Sequence, residues 1–354
     1  GLKYSFVKND NDLDFFEKTT NQIDYQPEKS NVFNYKEQIF AAYVSSNFKW
    51  KKWEVKAGLR TETTWINIIS DNPYSKNNQT KTDFFPTAYL MYSFEKSGQL
   101  GLNYGKRIDR PNYNFLNPSK SYYNLFSYFQ GDPSIKSTII HNLSLTYTIS
   151  DWNFEAYYRY EKNPAMELSI QNPETFETVY HFTNIKNGEA YGFNLSKNYN
   201  LKSWWKINLF AMAEYNKNYF FGTDQKTYKN DVVFYNVNIN TQIDLDTEKI
   251  FSISAGYVYN SKAIQASFDI GSSQNTYLIL NKKLWDKRFE IGLTLNDIFR
   301  TDRNTIVTKY ANQNQYFKDY RDTQYFILNL KYNFGNQKVK EAKQIEKTAE
   351  QNRI

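Results

Sequence analysis

Trp53 to Trp65 reads WEVKAGLRTETTW. Trp53, Val55, Ala57 and Leu59 alternate with Glu54, Lys56, Gly58 and Arg60. A period of two marks a strand with two distinct faces. A strand of a soluble sandwich sets apolar residues against merely polar ones. Here lipid-compatible residues oppose full charges that want bulk water, which points to the wall of a transmembrane β-structure.

The pattern extends in both directions. Gln38 to Phe48 precedes this strand across a tight turn at Lys51-Lys52, and Gly1 to Lys8 reads as the end of an earlier strand. Thr82 to Glu95 pairs with Gln99 to Arg107 through Lys96-Ser97-Gly98. Between Thr138 and Ile149, Leu143, Leu145, Tyr147 and Ile149 oppose Asn142, Ser144, Thr146 and Thr148. After Ser150-Asp151, Trp152, Phe154, Ala156, Tyr158 and Tyr160 oppose Asn153, Glu155, Arg159 and Glu161. Three further pairs run from Tyr191 to Tyr219, from Asp231 to Tyr259 and from Asn275 to Phe299, and a last strand spans Asp322 to Phe334. That predicts about fourteen strands of roughly 9 to 15 residues, with turns of about two to six residues at one end and loops of about 12 to 30 at the other. The fold class is all-β, a transmembrane antiparallel β-barrel. An open edge in lipid would strand backbone polar groups, so such a sheet must be closed or completed.

Composition agrees. Aromatics make up 18% of the 354 residues while mean hydropathy is only -0.75, which suits surfaces that meet both water and an apolar medium. The longest apolar run, Ile39 to Val44, falls far short of the ~18 residues of a membrane-spanning helix. Six of the seven Trp (Trp50, Trp53, Trp152, Trp204, Trp205 and Trp285) lie at or beside the short turns, as an interfacial girdle requires. There is no cysteine, which excludes disulfides and thiolate chemistry. The net charge of +7 is scattered among acids with no dense basic cluster, so no nucleic-acid partner is expected. Asp10, Asp12 and Asp14 open a calcium-loop spacing, but Phe15 and Asn21 stand where that loop needs Gly and Glu, leaving a solvated acidic loop. There is no signal peptide, and Gly1 begins in mid-strand, which a fragment or a processed chain explains most simply.

The last strand carries Phe326, Leu328, Leu330, Tyr332 and Phe334 on one apolar face. This resembles the C-terminal signal read by the outer-membrane barrel assembly machinery. A charged tail, 336–354, holds five Lys/Arg and three Glu and lacks a continuous apolar stripe. It reads as a periplasmic extension following a barrel domain over 1–335, with a partner-binding helix as the rival.

The stretch that follows Gln99 to Arg107 opens an aromatic-rich loop. There Arg107-Ile108-x-Arg110-Pro111-x-Tyr113-x-x-Leu116-Asn117-Pro118 precedes Gly131-Asp132-Pro133. This resembles the barrel of TonB-dependent outer-membrane receptors of the Bacteroidetes type, with departures at Ser119, Asp132 and Ser137. The closing LNLKYNFG at Leu328 to Gly335 resembles it too. The resemblance implies a 22-stranded barrel filled by an N-terminal plug. About the last fourteen strands would be present here; the plug, the TonB-contacting region and the first eight strands would not. It also implies outer-membrane lipid as surroundings, long loops outside, short turns and tail in the periplasm, and the TonB complex as a partner through the missing part.

No catalytic set is defensible. His141 lies on a lipid-type face and His181 in a loop, while Glu155 and Glu161 beside Arg159 suit a wet channel. No phosphate loop, nucleophile elbow or HExxH motif occurs. The expectation is a transporter, not an enzyme, with no cofactor and no metal site. Candidate ligand contacts are Tyr113, Phe115, Tyr122, Tyr123, Tyr128 and Phe129 for stacking, with Arg107 and Arg110 for an anionic group. Against this stands a structural role, in which the Arg-x-x-Arg-Pro and Leu-Asn-Pro positions fix the loop base to the rim. Iron chelates, cobalamin, glycans and peptides all fit as cargo. The alternatives are a complete fourteen-stranded passive porin and a non-transport scaffold.

Overall fold

A computed structural model of the chain describes residues 1–319, 321–334 and 353. In chain order the first elements are β1 (Leu2–Leu13), β2 (Phe16–Lys18), β3 (Ile23–Tyr25), β4 (Asn31–Trp50), β5 (Trp53–Asp71), β6 (Tyr74–Ser93) and β7 (Gln99–Asp109). Next come a single helical turn α1 (Tyr113–Leu116), β8 (Ser121–Asn124), β9 (Ser127–Gln130), β10 (Thr138–Ile149), β11 (Trp152–Lys162), β12 (Ala165–Gln171) and β13 (Thr178–Asn184). Then follow β14 (Asn187–Lys202), β15 (Trp205–Phe221), β16 (Thr227–Asp244), β17 (Phe251–Asn260), β18 (Ala263–Gln265) and β19 (Phe268–Ile270). The last are β20 (Ser273–Leu284), β21 (Phe289–Asn296), β22 (Asn304–Tyr310), β23 (Gln313–Asp319) and β24 (Tyr325–Tyr332).

Fourteen of these form one antiparallel wall in the order β1-β4-β5-β6-β7-β10-β11-β14-β15-β16-β17-β20-β21-β24. The sequence count of fourteen is met. Among the described residues β1 and β24 pair with one neighbour each and so form the two edges. The charged tail lies outside the described residues except for Arg353.

One expectation is corrected. The sequence reading ends one strand at Trp65 and starts the next at Thr82, yet the β5–β6 ladder runs unbroken from Trp53↔Tyr92 to Asp71↔Tyr74, around Asn72-Pro73. Its cross-strand pairs mix apolar and polar residues, among them Ile66↔Gln79 and Ile68↔Asn77, with hydrogen bonds between the Thr63 and Thr82 hydroxyls at 2.9 Å and between the Asn67 and Asn78 side chains. Backbone pairing continues beyond the region where a lipid face imposes alternation. Wall strands accordingly run from 8 to 20 residues.

The faces are as read. On β5 Trp53, Val55 and Leu59 are exposed and apolar, whereas Glu54 and Glu62 on the other face are buried. The polar face repeats one device. At Gly192 on β14 an added Cβ would sit 2.1 Å from the Tyr157 ring of β11, and Tyr157 Oη donates to Glu214 of β15 at 2.5 Å. Tyr277 of β20 likewise lies over Gly256 of β17 and donates to Asn240 of β16. Each glycine lets a tyrosine lie flat across its strand and tie three strands together. The short turn before β7 needs Gly98 for a different reason: its φ is +85° and the Thr148 carbonyl oxygen lies 2.0 Å from a would-be Cβ.

The apolar cores sit at the long-loop end, not in the middle of the wall. Phe33, Tyr35, Ile68, Tyr113, Leu116 and Ile135 form one. Leu168, Ile185, Phe220, Ala266 and Tyr310 form the other. The loops fold into sheets of their own, β12-β13-β9-β8 and β18-β19-β22-β23. Each sheet knits together two separate wall connections. No helix among the described residues is long and apolar enough to cross a membrane, which says nothing of a β-barrel.

Candidate functional site

The loop after β7 is built on a close approach of backbones. Asn112 caps α1, its side chain accepting from the Asn114 N–H at 2.9 Å. Gly131 N–H donates to the Asn117 carbonyl and Asp132 N–H to the Phe115 carbonyl. A Cβ on Gly131 would lie 2.5 Å from both the Phe115 and Asn117 carbonyl oxygens, so only glycine fits there. Asp132 Oδ1 accepts from the Ser134 N–H at 2.7 Å, and Oδ2 accepts from the Thr183 hydroxyl at 3.3 Å. The motif thereby ties α1, the β9 exit and β13 into one unit.

The eight candidate residues separate into three groups. Arg110 is engaged: its Nη2 lies 2.8 Å from Glu62 Oε2 and donates to Thr64 at 3.0 Å, while its Nε is 3.6 Å from Glu37 Oε1. Tyr113 is buried at 1% exposure, its ring centroid 4.6 Å from that of Tyr35 and its hydroxyl 3.5 Å from Glu37 Oε2. Arg353 approaches the same acid, with Nη2 2.5 Å from Glu37 Oε2 and its guanidinium 5.0 Å over the Tyr113 ring.

The second group is an aromatic stack. Phe115 and Phe182 are parallel at 3.7 Å, and Phe129 tilts against both. Tyr128 is buried with the Lys120 ammonium 4.3 Å over its ring. The third group faces outward. Tyr122 is half-buried between Phe15 and Tyr128, Tyr123 is 65% exposed against the edge of Tyr180, and Arg107 is exposed on β7. The eight residues therefore do not converge on one cavity.

Sequence reading missed the acids that hold the loop base. Glu37 shares one face of β4 with Phe33, Tyr35 and Ile39 and is 1% exposed. A lone acid inside an apolar alternation was the available signal. It also missed a seam between the two loop sheets. Ser169 Oγ donates to Gln315 Oε1 at 2.5 Å. Gln171 N–H donates to Gln313 Oε1 at 2.6 Å, and Gln313 Nε2 returns a bond to the Gln171 carbonyl at 3.1 Å. Tyr310 donates to the Ser169 carbonyl, and burial pushes its phenol up to about 12. No group of three or more His, Asp or Glu side chains able to hold a metal ion occurs among the described residues.

A wall with an apolar exposed face, polar clusters on the other and folded loops at one end matches one known family. The model of the outer membrane protein β-barrel family covers residues 1–332. The chain belongs to that family. Solved structures of similar fold include the ferric-catecholate import receptor Fiu from K12 E. coli, with 11% identity and a TM-score of 0.61 over 94% of this chain and 51% of that one. The FrpB iron transporter from Neisseria meningitidis shares 10% identity, with a TM-score of 0.58 over 93% and 56%. The copper transporter OprC shares 10% identity, with a TM-score of 0.54 over 94% and 62%. At these identities the likeness is one of fold, and the chain spans between half and two thirds of each of these proteins. No curated protein matches the sequence. Membership of an outer-membrane β-barrel family accounts for the exposed apolar face, which has lipid as its solvent.

Proposed function

We propose that this chain forms the larger part of the wall, and the outward loops, of a TonB-dependent outer-membrane receptor that takes up a scarce solute and performs no chemistry on it. The observation that carries the reading is the coverage: nearly the whole chain aligns with about half of larger import proteins. The remainder of such a protein supplies the other strands, a plug inside the barrel and the contact with the energised TonB complex. Among the described residues β1 and β24 lack a second ladder partner, which favours this over a fourteen-stranded pore. Long loops outside belong to the same reading, as does the Bacteroidetes-type resemblance; Arg353 beside Glu37 and Tyr113, at the loop base, does not support a periplasmic tail. The Phe326, Leu328, Leu330, Tyr332 and Phe334 face is offered to the assembly machinery.

Within the loops, Arg110, Tyr113, Phe115, Tyr128 and Phe129 brace the loop base. Tyr122, Tyr123 and Arg107 remain as contacts for an incoming solute. Reconstitution of the chain into liposomes tests the reading. A transporter wall lacking its plug and neighbouring strands gives no stable, uniform conductance; a single, reproducible open-pore conductance would instead establish the passive channel.

A further inference from the structure

Between the two loop sheets lies a cavity of about 370 Å³ that none of the eight candidate residues lines. Glu167 and Tyr180 face it from β12 and β13, and Phe268, Ile270, Ile306 and Phe317 face it from β19, β22 and β23. Its size falls at the small end of ligand pockets. The glutamine seam clamps β12 to β23 on one side of it, and Tyr180 meets Phe317 with ring centroids 6.4 Å apart. The chamber is therefore built before any ligand arrives.

Its charged lining is Glu167, Asp319 and Lys318. Glu167 makes no hydrogen bond and no ion pair among the described residues, and burial pushes its carboxyl above the ordinary glutamate range. At the rim, Asp319 is already paired with Arg321 at 2.7 Å, and Lys318 is exposed. Glu167 is half-buried beside aromatic rings, so its carboxylate loses part of its hydration without a protein partner in return. The fold tolerates that cost at a place where a cation from outside would remove it. Phenyl and phenol faces on the same walls add attraction for such a cation.

We infer that this chamber binds an organic monocation, an ammonium or guanidinium group carried on a small apolar body, with Glu167 as its counter-ion and Tyr180, Phe268 and Phe317 as its walls. This names the ligand chemistry of the capture step and rests on the uptake reading only for its purpose. A cationic group also distinguishes the site from the Arg107 region, which suits an anion.

The test is a titration of the detergent-solubilised chain with phenethylammonium, its neutral analogue 2-phenylethanol and the anion 3-phenylpropionate. The expected order places the cation at least about tenfold tighter than the alcohol, with the anion weakest. Glu167→Gln abolishes the preference of cation over alcohol. Glu174→Gln, at the exposed turn between β12 and β13, leaves it intact. Equal affinity for cation and alcohol, or a preference that survives Glu167→Gln, overturns the assignment.

Should Glu167→Gln fail to fold, as judged by heat-modified gel migration, pH supplies the second measurement. The titratable groups facing Glu167 across the chamber are Tyr180, Lys318 and Asp319. Protonating Glu167 removes the counter-ion, so the preference fades as pH falls from roughly 7 to 4. It fades equally in Asp319→Asn. A preference unchanged over that range, or changed by Asp319→Asn, overturns the assignment as well. Binding in micelles involves no energised partner, so its failure would leave the uptake reading standing, and a failure of uptake would leave the chamber standing.

Discussion

Leu145 in the wall is 46% exposed and its neighbour Ser144 is 3% exposed; in the loop sheets Ser169 and Thr308 are fully buried too, but against other protein layers. The wall inverts the aqueous rule because lipid is its solvent: apolar side chains point out and hydrogen-bonded polar groups point in. The loop sheets obey the aqueous rule, with Leu168 and Tyr310 in a core that Phe220 joins from the end of β15. Where the loop sheets touch each other, they satisfy buried polar groups with a Ser–Gln–Gln seam. The same strand geometry thus serves two solvents, and Glu37, Glu62 and Arg110 sit where the two regimes meet.

That junction gives the largest expected effect. Arg110→Ala leaves Glu37 and Glu62 without their shared guanidinium. Stripping one partner from a buried ion pair costs roughly 3–5 kcal/mol. The urea midpoint in detergent should fall, and trypsin should cut at Lys120 faster. An unchanged midpoint would mean that wall and loop base fold independently. A charge on the lipid face comes next: Leu145→Arg should cost roughly 2–4 kcal/mol. Asn103→Arg, on the polar face, should stay within about 1 kcal/mol. Equal costs for the two would erase the distinction between the faces. Smaller again is Gly192→Ala, whose methyl would displace the Tyr157 ring from Glu214. A cost of about 1–3 kcal/mol is expected from the overpacking, and Tyr157→Leu in the same background should reduce it.

The contrast also explains what was legible. Trp53 to Arg60 and Asn142 to Ile149 announced the wall, because lipid on one side and water on the other force strict alternation. The hairpin around Asn72-Pro73 was not legible, since Asp71-Asn72-Pro73 is a turn signal and the residues beside it lack the alternation of apolar and charged side chains. The glutamine seam was invisible for another reason. Ser169 and Gln315 are 146 residues apart, and nothing local in either segment marks the pairing. The loop motif through Gly131-Asp132-Pro133 stood out by its family resemblance alone. Its roles were not separable, because Tyr113 and Tyr123 differ in burial and not in local pattern. Glu167 had no sequence signal beyond its own charge. It becomes notable only when the second sheet closes over it.

The smallest expected effect lies on the loop side and depends on pH. Asp297, 1% exposed just past β21, accepts from the Thr323 hydroxyl at 2.5 Å and from the backbone N–H groups of Thr301 and Asp302 at 2.8 and 3.2 Å. Burial alone would raise its carboxyl, but these donors outweigh it and hold the group below the usual aspartate range. The folded chain therefore binds this proton less readily than the unfolded chain. Its stabilisation is fully present above the unfolded value near ~3.9 and is lost as pH falls through the lower folded value. Asp297→Asn keeps the size, surrenders the charge-assisted bonds and should cost about 1–2 kcal/mol at neutral pH. Its urea midpoint should then decline less than the wild-type midpoint between roughly pH 5 and 3. Parallel declines would show that Asp297 titrates alike in both states and adds nothing to the pH dependence of stability.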